Sequence, residues 1–114
     1  MADEDAQPTD LKPSDALRKI RELAQDSNQI VVIPYGKKKA DLRKITRPQI
    51  EECVRRGEIA EGPFLNNHGN WQVNLYRMAA GEELTCVVAI DWPSKILVIN
   101  AFPPPETERR GRRK

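Results

Sequence analysis

The chain has 114 residues, of which 39% are hydrophobic and 32% are charged, and its formal net charge is +2. This length predicts a single domain with a small core. No run reaches the roughly 18 apolar residues of a membrane-spanning helix, and the first ten residues are unlike a secretory signal, so we expect no membrane contact. Two cysteines without such a signal predict the reducing cytoplasm rather than a disulfide scaffold.

The charged residues are unevenly distributed along the chain. Residues 37–56 hold eight basic and three acidic residues, and residues 106–114 hold five basic and two acidic residues. The first ten residues hold four acidic residues and no basic residue. A local basic block in a nearly neutral protein is typical of an anion-binding surface, although a solvated helix flank has the same composition.

The first third of the chain predicts one helix and one strand. Residues 1–12 are acidic and almost without apolar side chains, which predicts disorder. A helix is predicted from Pro13 or Ser14, because proline suits the first turn and apolar residues then recur at helical spacing. Residues 30–35 are rich in β-branched side chains and predict a short strand.

A second helix is predicted over about residues 47–56. Thr46 and Gln49 have the spacing of a capping box, in which each side chain accepts from a backbone amide of the other residue. We expect Gly57 to end the helix in the left-handed conformation. The apolar face of this helix consists of Ile50, Cys53 and Val54.

From Glu58 onward the apolar period changes to two, which predicts a meander of about four strands. The first, residues 59–65, contains Pro63 and is expected at an edge or a bend. Residues 84–90 and 96–102 are nearly continuous apolar runs, which suit central strands covered on both faces. The residues expected to be most buried are Leu75, Val87, Ile90, Val98 and Ile99.

These elements predict one α+β domain over residues 13–102, with two helices packed on an antiparallel sheet of about four strands. Residues 103–114 begin with three prolines, which cannot continue a strand, and then become basic. We expect this tail to be disordered.

Few residues are candidates for metal binding, thiol chemistry or phosphate contacts. One histidine and two cysteines far apart give no metal-ligand spacing, so neither a metal nor another cofactor is predicted. Cys53 and Cys86 lie in apolar surroundings, which favours small core residues over reactive thiols. Lys37, Lys38 and Lys39, with Arg43, precede the second helix in what we expect to be a loop. They are candidates for phosphate contacts, and a solvated loop is the alternative.

Two further side chains are candidates for catalysis. His68 lies in a turn, where it is either an exposed turn residue or a general acid or base. Arg77 falls on the same strand face as Trp71, so it needs a partner there. That partner is either Glu82 or Glu83 in the next turn or a bound anion.

Four segments resemble an uncharacterised bacterial family of domains of unknown function related to the RelE-type ribonuclease toxins. They are residues 45–63, 69–71, 84–90 and 98–102, within a family-like core of residues 30–102. The resemblance implies a RelE-like fold, RNA as the molecule contacted, and a small antitoxin-like protein as partner.

This chain departs from the family pattern before the second helix. Members of that family often carry a His-Ala pair there, followed by arginine, whereas this chain has Tyr35 and Gly36 and then Lys39. Arg43 matches a basic position of the family. The histidine that the resemblance would supply is therefore absent.

Taken together, the sequence predicts a small cytosolic bacterial RelE-like domain that binds RNA and has metal-independent ribonuclease activity. Lys39 or Arg77 would stabilise the phosphate charge and His68 would act as the base, which requires these groups to converge within about 10 Å. Two alternatives remain open: a non-catalytic interaction module with the same fold, and a nucleic-acid-binding protein without cleavage.

Overall fold

A computed structural model describes residues 6–103, and the predictions made for residues 1–5 and 104–114 lie outside the described residues. The described part is an α+β unit with three α-helices and five strands. The helices are α1 (Pro13–Leu23), α2 (Pro34–Leu42) and α3 (Arg47–Arg56). The strands are β1 (Ile30–Val32), β2 (Glu58–Leu65), β3 (Trp71–Ala79), β4 (Glu82–Asp91) and β5 (Lys95–Phe102). None of the helices in residues 6–103 is long and apolar enough to span a membrane.

The five strands form one mixed sheet in the order β1-β5-β4-β3-β2. The meander from β2 to β5 is antiparallel, and β2, with its proline, lies at an edge as predicted. β1 adds a parallel strand beside β5, with Ile30 opposite Ile96. The expected antiparallel sheet of four strands is therefore corrected to a mixed sheet of five. Parallel pairing joins strands that are distant in the chain, so strand periodicity alone does not reveal it.

The strand predicted over residues 30–35 is wrong in its second half. β1 ends at Val32, and Pro34 begins α2, where the proline ring suits the first helical position. The loop expected to carry Lys37, Lys38 and Lys39 is consequently part of a helix, which raises the number of helices from two to three.

α2 is held against β5 by small residues. Gly36 and Ala40, one helical turn apart, are its buried positions. A Cβ atom on Gly36 would stand 2.8 Å from the Val98 carbonyl oxygen and 2.9 Å from that of Ile99. Only glycine permits this close approach between a helix and the backbone of a strand.

The core lies on the sheet face that α1 and α3 cover. The inward residues of α3 are buried as predicted, and so are Leu75, Ile90 and Val98. Val87 and Ile99 are only half-buried, so the expectation that β4 and β5 are covered on both faces is wrong for these positions. The register between β4 and β5 shifts between Val87 and Val88. Successive side chains point to opposite faces of a strand, so a half-buried residue follows a buried one at these positions.

The helix α3 begins as predicted, with both hydrogen bonds of the capping box. Thr46 Oγ1 accepts from Gln49 N at 3.3 Å, and Gln49 Oε1 accepts from Thr46 N at 2.7 Å. Gly57 is not left-handed, because the chain passes straight from α3 into β2 with φ −70° and ψ 162°. Glycine is needed there for a close contact instead, since a Cβ would stand 2.5 Å from the Cys53 carbonyl oxygen.

We expect Thr46→Ala to lower the free energy of unfolding by about 1 kcal/mol, because the Gln49 amide loses its acceptor. Chemical denaturation monitored by circular dichroism measures this loss. Ser14→Ala is the matched control, because α1 has no side-chain cap and Ser14 is exposed. Equal losses in the two variants would contradict the role of the capping box.

The segment preceding α1 contacts the β2–β3 end of the sheet. Trp71 Nε1 donates to the Pro8 carbonyl oxygen at 2.9 Å, and Gln7 Nε2 donates to the Gly69 carbonyl oxygen at 2.8 Å. Composition alone predicts disorder for residues 1–12, but two hydrogen bonds to residues more than 60 positions away hold this part of the segment.

Candidate functional site

The exposed side of α2 combines an aromatic ring with two lysines. Tyr35, Lys38, Lys39 and Leu42 follow the i, i+3, i+4, i+7 spacing of a single helix face. Tyr35 is 54% exposed and Leu42 is 69% exposed. We call these four residues the α2 face. It exists because the small buried residues on the opposite side seat the helix closely on β5.

The lysines on the α2 face differ in their ion pairing from the lysine on its flank. Lys39 Nζ lies 5.4 Å from the centroid of the Tyr35 ring, a cation–π contact. Lys37, on the flank, is ion-paired with Asp41 at 3.2 Å. Within residues 6–103 no carboxylate stands within ion-pair distance of Lys38 or Lys39. Lys38 and Lys39 are thus available to an external anion.

An open groove adjoins the α2 face on the side of β1. Its volume is about 570 Å³. Two lysines and one aspartate stand beside apolar side chains along it. The groove is lined by Val32, Pro34, Lys37, Lys38, Asp41 and Leu42.

Arg43, predicted as a phosphate contact, is engaged within the protein. Its Nη1 donates to Asn100 Oδ1 at 2.8 Å and to the Ala101 carbonyl oxygen at 2.9 Å. Its guanidinium also lies 5.8 Å from the centroid of the Phe102 ring. These contacts tie the end of α2 to the end of β5, so the side chain anchors the helix.

The described part of the chain ends close to this anchor. Pro103, the last described residue, lines a pocket of about 420 Å³ together with Arg43 and Lys44. The five basic residues among 106–114 come shortly after it in the sequence. The chain therefore leads into its basic tail from a point beside Arg43.

The structure does not bring the three predicted catalytic residues together. His68 is exposed in the turn before β3, where its backbone amide donates to Asn66 Oδ1 at 2.9 Å. Arg77 lies near the other end of β3, about 20 Å beyond Trp71, because a strand rises about 3.3 Å per residue. Lys39 lies on α2, which packs on β5, two strands away from β3.

Arg77 faces the core side of the sheet, as predicted, at the mouth of a small cavity. Glu82 accepts from Gln49 Nε2 at 3.5 Å, and Glu83 accepts from Tyr76 Oη at 2.6 Å. The two acids expected as partners of Arg77 thus bond to other side chains. The cavity measures about 280 Å³ and is lined by Pro48, Gln49, Glu52, Cys53, Arg77, Ala79, Glu82 and Leu84.

The sequence did not indicate that Tyr35 shares an exposed helix face with the lysines, because its pattern placed this side chain in a strand. The signal that could have found it is the pair of small residues at positions 36 and 40, which marks the buried side of a helix. Residues 6–103 also contain no group of three or more histidine, cysteine, aspartate or glutamate side chains suited to a metal ion.

Comparison with known proteins gives one family. The family model described as Domain of unknown function (DUF4258) matches residues 36–103, from α2 to the end of β5. This match overlaps the family-like core expected over residues 30–102, and it does not connect the chain with RelE-type toxins. No curated protein and no solved structure matches the chain.

Proposed function

The chain belongs to the DUF4258 family, and we propose that the α2 face of this domain binds single-stranded RNA. The observation that carries the proposal is the exposed Tyr35 ring with Lys39 against it and Lys38 one turn away. Unpaired lysines and an exposed aromatic ring are the two features that single-stranded nucleic acids require.

Each part of the α2 face has a role in this proposal. Lys38 and Lys39 neutralise phosphates, because neither is engaged by a carboxylate within the described residues. A base stacks on the Tyr35 ring, whose flat surface accepts any base. Lys37 contributes less, since Asp41 already compensates its charge.

RNA is also the molecule that the resemblance to RelE-type toxins implies, together with an antitoxin-like partner. The cytoplasmic location that we propose rests instead on the two free cysteines. We propose binding without cleavage as the primary activity, because His68 and Arg77 are separated by most of the length of β3. Metal-independent cleavage, with His68 as base and Arg77 or Lys39 as the charge stabiliser, is disfavoured by this separation, and the same experiment tests it.

We expect Tyr35→Ala to weaken RNA binding by about 1–3 kcal/mol, the contribution of one stacked base. The double variant Lys38→Ala/Lys39→Ala should reduce the slope of log K against log salt by about 0.7 for each phosphate that the protein no longer neutralises. Fluorescence anisotropy with a labelled mixed-sequence single-stranded RNA, titrated at about 50 and 200 mM salt, measures both effects.

Matched controls distinguish the loss of base stacking and of phosphate contacts from the loss of any one exposed charge. Tyr35→Phe keeps the ring and should bind like the unaltered protein, and Lys12→Ala removes one exposed charge far from α2 in the chain. The same RNA, analysed by gel with and without EDTA, reports cleavage. If the unaltered protein neither binds nor cleaves the RNA at about 50 mM salt, both RNA functions are wrong and the interaction module becomes the leading function.

A further inference from the structure

The pocket of about 280 Å³ beside Arg77 opens between α3 and the hairpin that β3 and β4 form. Arg77 pairs with Leu84 in this hairpin, and Ala79 pairs with Glu82 two residues further along. The strand period of two puts these four side chains on the face toward α3. Cys53 belongs to the lining on the α3 side. Because Ala79 and Cys53 are small, they leave room between the helix and the hairpin.

The pocket holds one positive and one negative side chain that are not paired with each other. No carboxylate of residues 6–103 lies within ion-pair distance of the Arg77 guanidinium. Glu82 accepts a 3.5 Å hydrogen bond from the neutral amide of Gln49. Glu52, the other acidic residue of the lining, is neutralised by Arg56, whose Nε lies 3.0 Å from its carboxylate. The pocket therefore carries both signs of charge and no net charge.

The two opposite charges occupy diagonal positions on one face of the hairpin. Diagonal neighbours of an antiparallel pair are about 7–8 Å apart, so one small molecule can contact both Arg77 and Glu82. A guanidinium binds a carboxylate through two parallel hydrogen bonds, and a glutamate accepts from an ammonium group. An α-amino acid carries a carboxylate and an ammonium group on the same carbon, and its charges sum to zero as those of the pocket do.

The remaining walls of the pocket favour a ligand with an apolar side chain. Pro48, Cys53, Ala79 and Leu84 contribute most of the apolar surface. An apolar cavity of about 150 Å³ in another protein holds a benzene molecule. The 280 Å³ of this pocket therefore accommodates an apolar group of that size together with the two charged groups.

We propose that this pocket binds a free α-amino acid with an apolar side chain of the size of leucine or phenylalanine. The carboxylate of the ligand pairs with Arg77, and its ammonium group pairs with Glu82. Its side chain lies against Leu84 and Cys53. No residue of the α2 face lines the pocket, so the site is separate from the RNA surface and does not depend on it.

Isothermal titration calorimetry of the unaltered protein with L-leucine tests the proposal. We expect saturable binding at one site per chain with a Kd of about 1 mM or lower. Leucinamide lacks the carboxylate, N-acetyl-L-leucine lacks the ammonium group, and glycine lacks the apolar side chain. Each of these should bind at least about tenfold more weakly than L-leucine. No saturable binding of L-leucine up to about 10 mM, or equal binding of L-leucine and any of the three, would overturn the proposal.

Two variants and a matched control locate the ligand. Arg77→Gln and Glu82→Gln should each weaken L-leucine binding at least about tenfold, because each removes one charged partner. Glu83→Gln neutralises the next residue of β4, whose side chain points to the opposite face, and should leave L-leucine binding unchanged. Unchanged binding in both Arg77→Gln and Glu82→Gln would refute the assigned contacts.

Nuclear magnetic resonance on the unaltered protein keeps the proposal testable if a variant fails to fold. L-leucine should shift the backbone amide signals of residues 49–53 and 77–84, which surround the pocket. Amide shifts confined to other parts of the chain would place the ligand elsewhere and contradict the proposal.

Discussion

We expect Leu75→Ala to lower the free energy of unfolding by about 2–5 kcal/mol, the range for removing a fully buried leucine side chain from a core. Leu75 is completely buried in β3, opposite Ile59 on β2 and Cys86 on β4. The substitution leaves a cavity in the core against β3, where hydrogen bonds to β2 and β4 limit collapse. Urea denaturation measures the loss.

The control for this prediction lies on the same strand. Met78 is 60% exposed, so Met78→Ala should change the free energy of unfolding by less than about 0.5 kcal/mol. A loss below about 1 kcal/mol in Leu75→Ala would show that this position does not lie in a close-packed core.

We expect Gly36→Val to destabilise the protein by about 3 kcal/mol, at the upper end of the range for overpacking. The added Cβ would stand less than 3 Å from two backbone oxygens of β5, and neither can move without disturbing the sheet. Because Gly36 seats α2, the same variant should also weaken RNA binding, provided that the α2 face is the binding surface.

Lys37→Val is the matched control for Gly36→Val. It introduces the same β-branched side chain one residue further along α2, at an exposed position, so it reports the lower helix propensity of valine and the small loss of the exposed Lys37–Asp41 ion pair. Equal denaturation midpoints for the two variants would contradict the close packing of α2 on β5.

Local interactions explain the parts of the fold that were predicted correctly. Thr46 and Gln49 bond to each other's backbone three residues apart, so the start of α3 can be inferred from the sequence. The alternation in β3 predicts which face is buried, because the strand period of two places Trp71, Val73 and Leu75 on one side.

The candidate site was predicted only in part. The basic block containing Lys38 and Lys39 was identified from charge alone, but their common face with Tyr35 depends on a helix that the periodicity did not reveal. α2 contains a glycine and three successive lysines, so its apolar spacing is weak. Arg43 shows the same limit, because its acceptors on Asn100 and Ala101 are almost 60 residues away in the chain.

By itself, the sequence determined α1, α3 and the antiparallel meander, because helix caps, helical spacing and short turns act between residues that are close in the chain. Only the tertiary structure decided the parallel pairing of β1 with β5, the packing of Gly36 on β5 and the contacts of Cys53 with Leu75 and Leu84. Each of these joins residues more than 20 positions apart, and close packing, which no local pattern encodes, selects their partners.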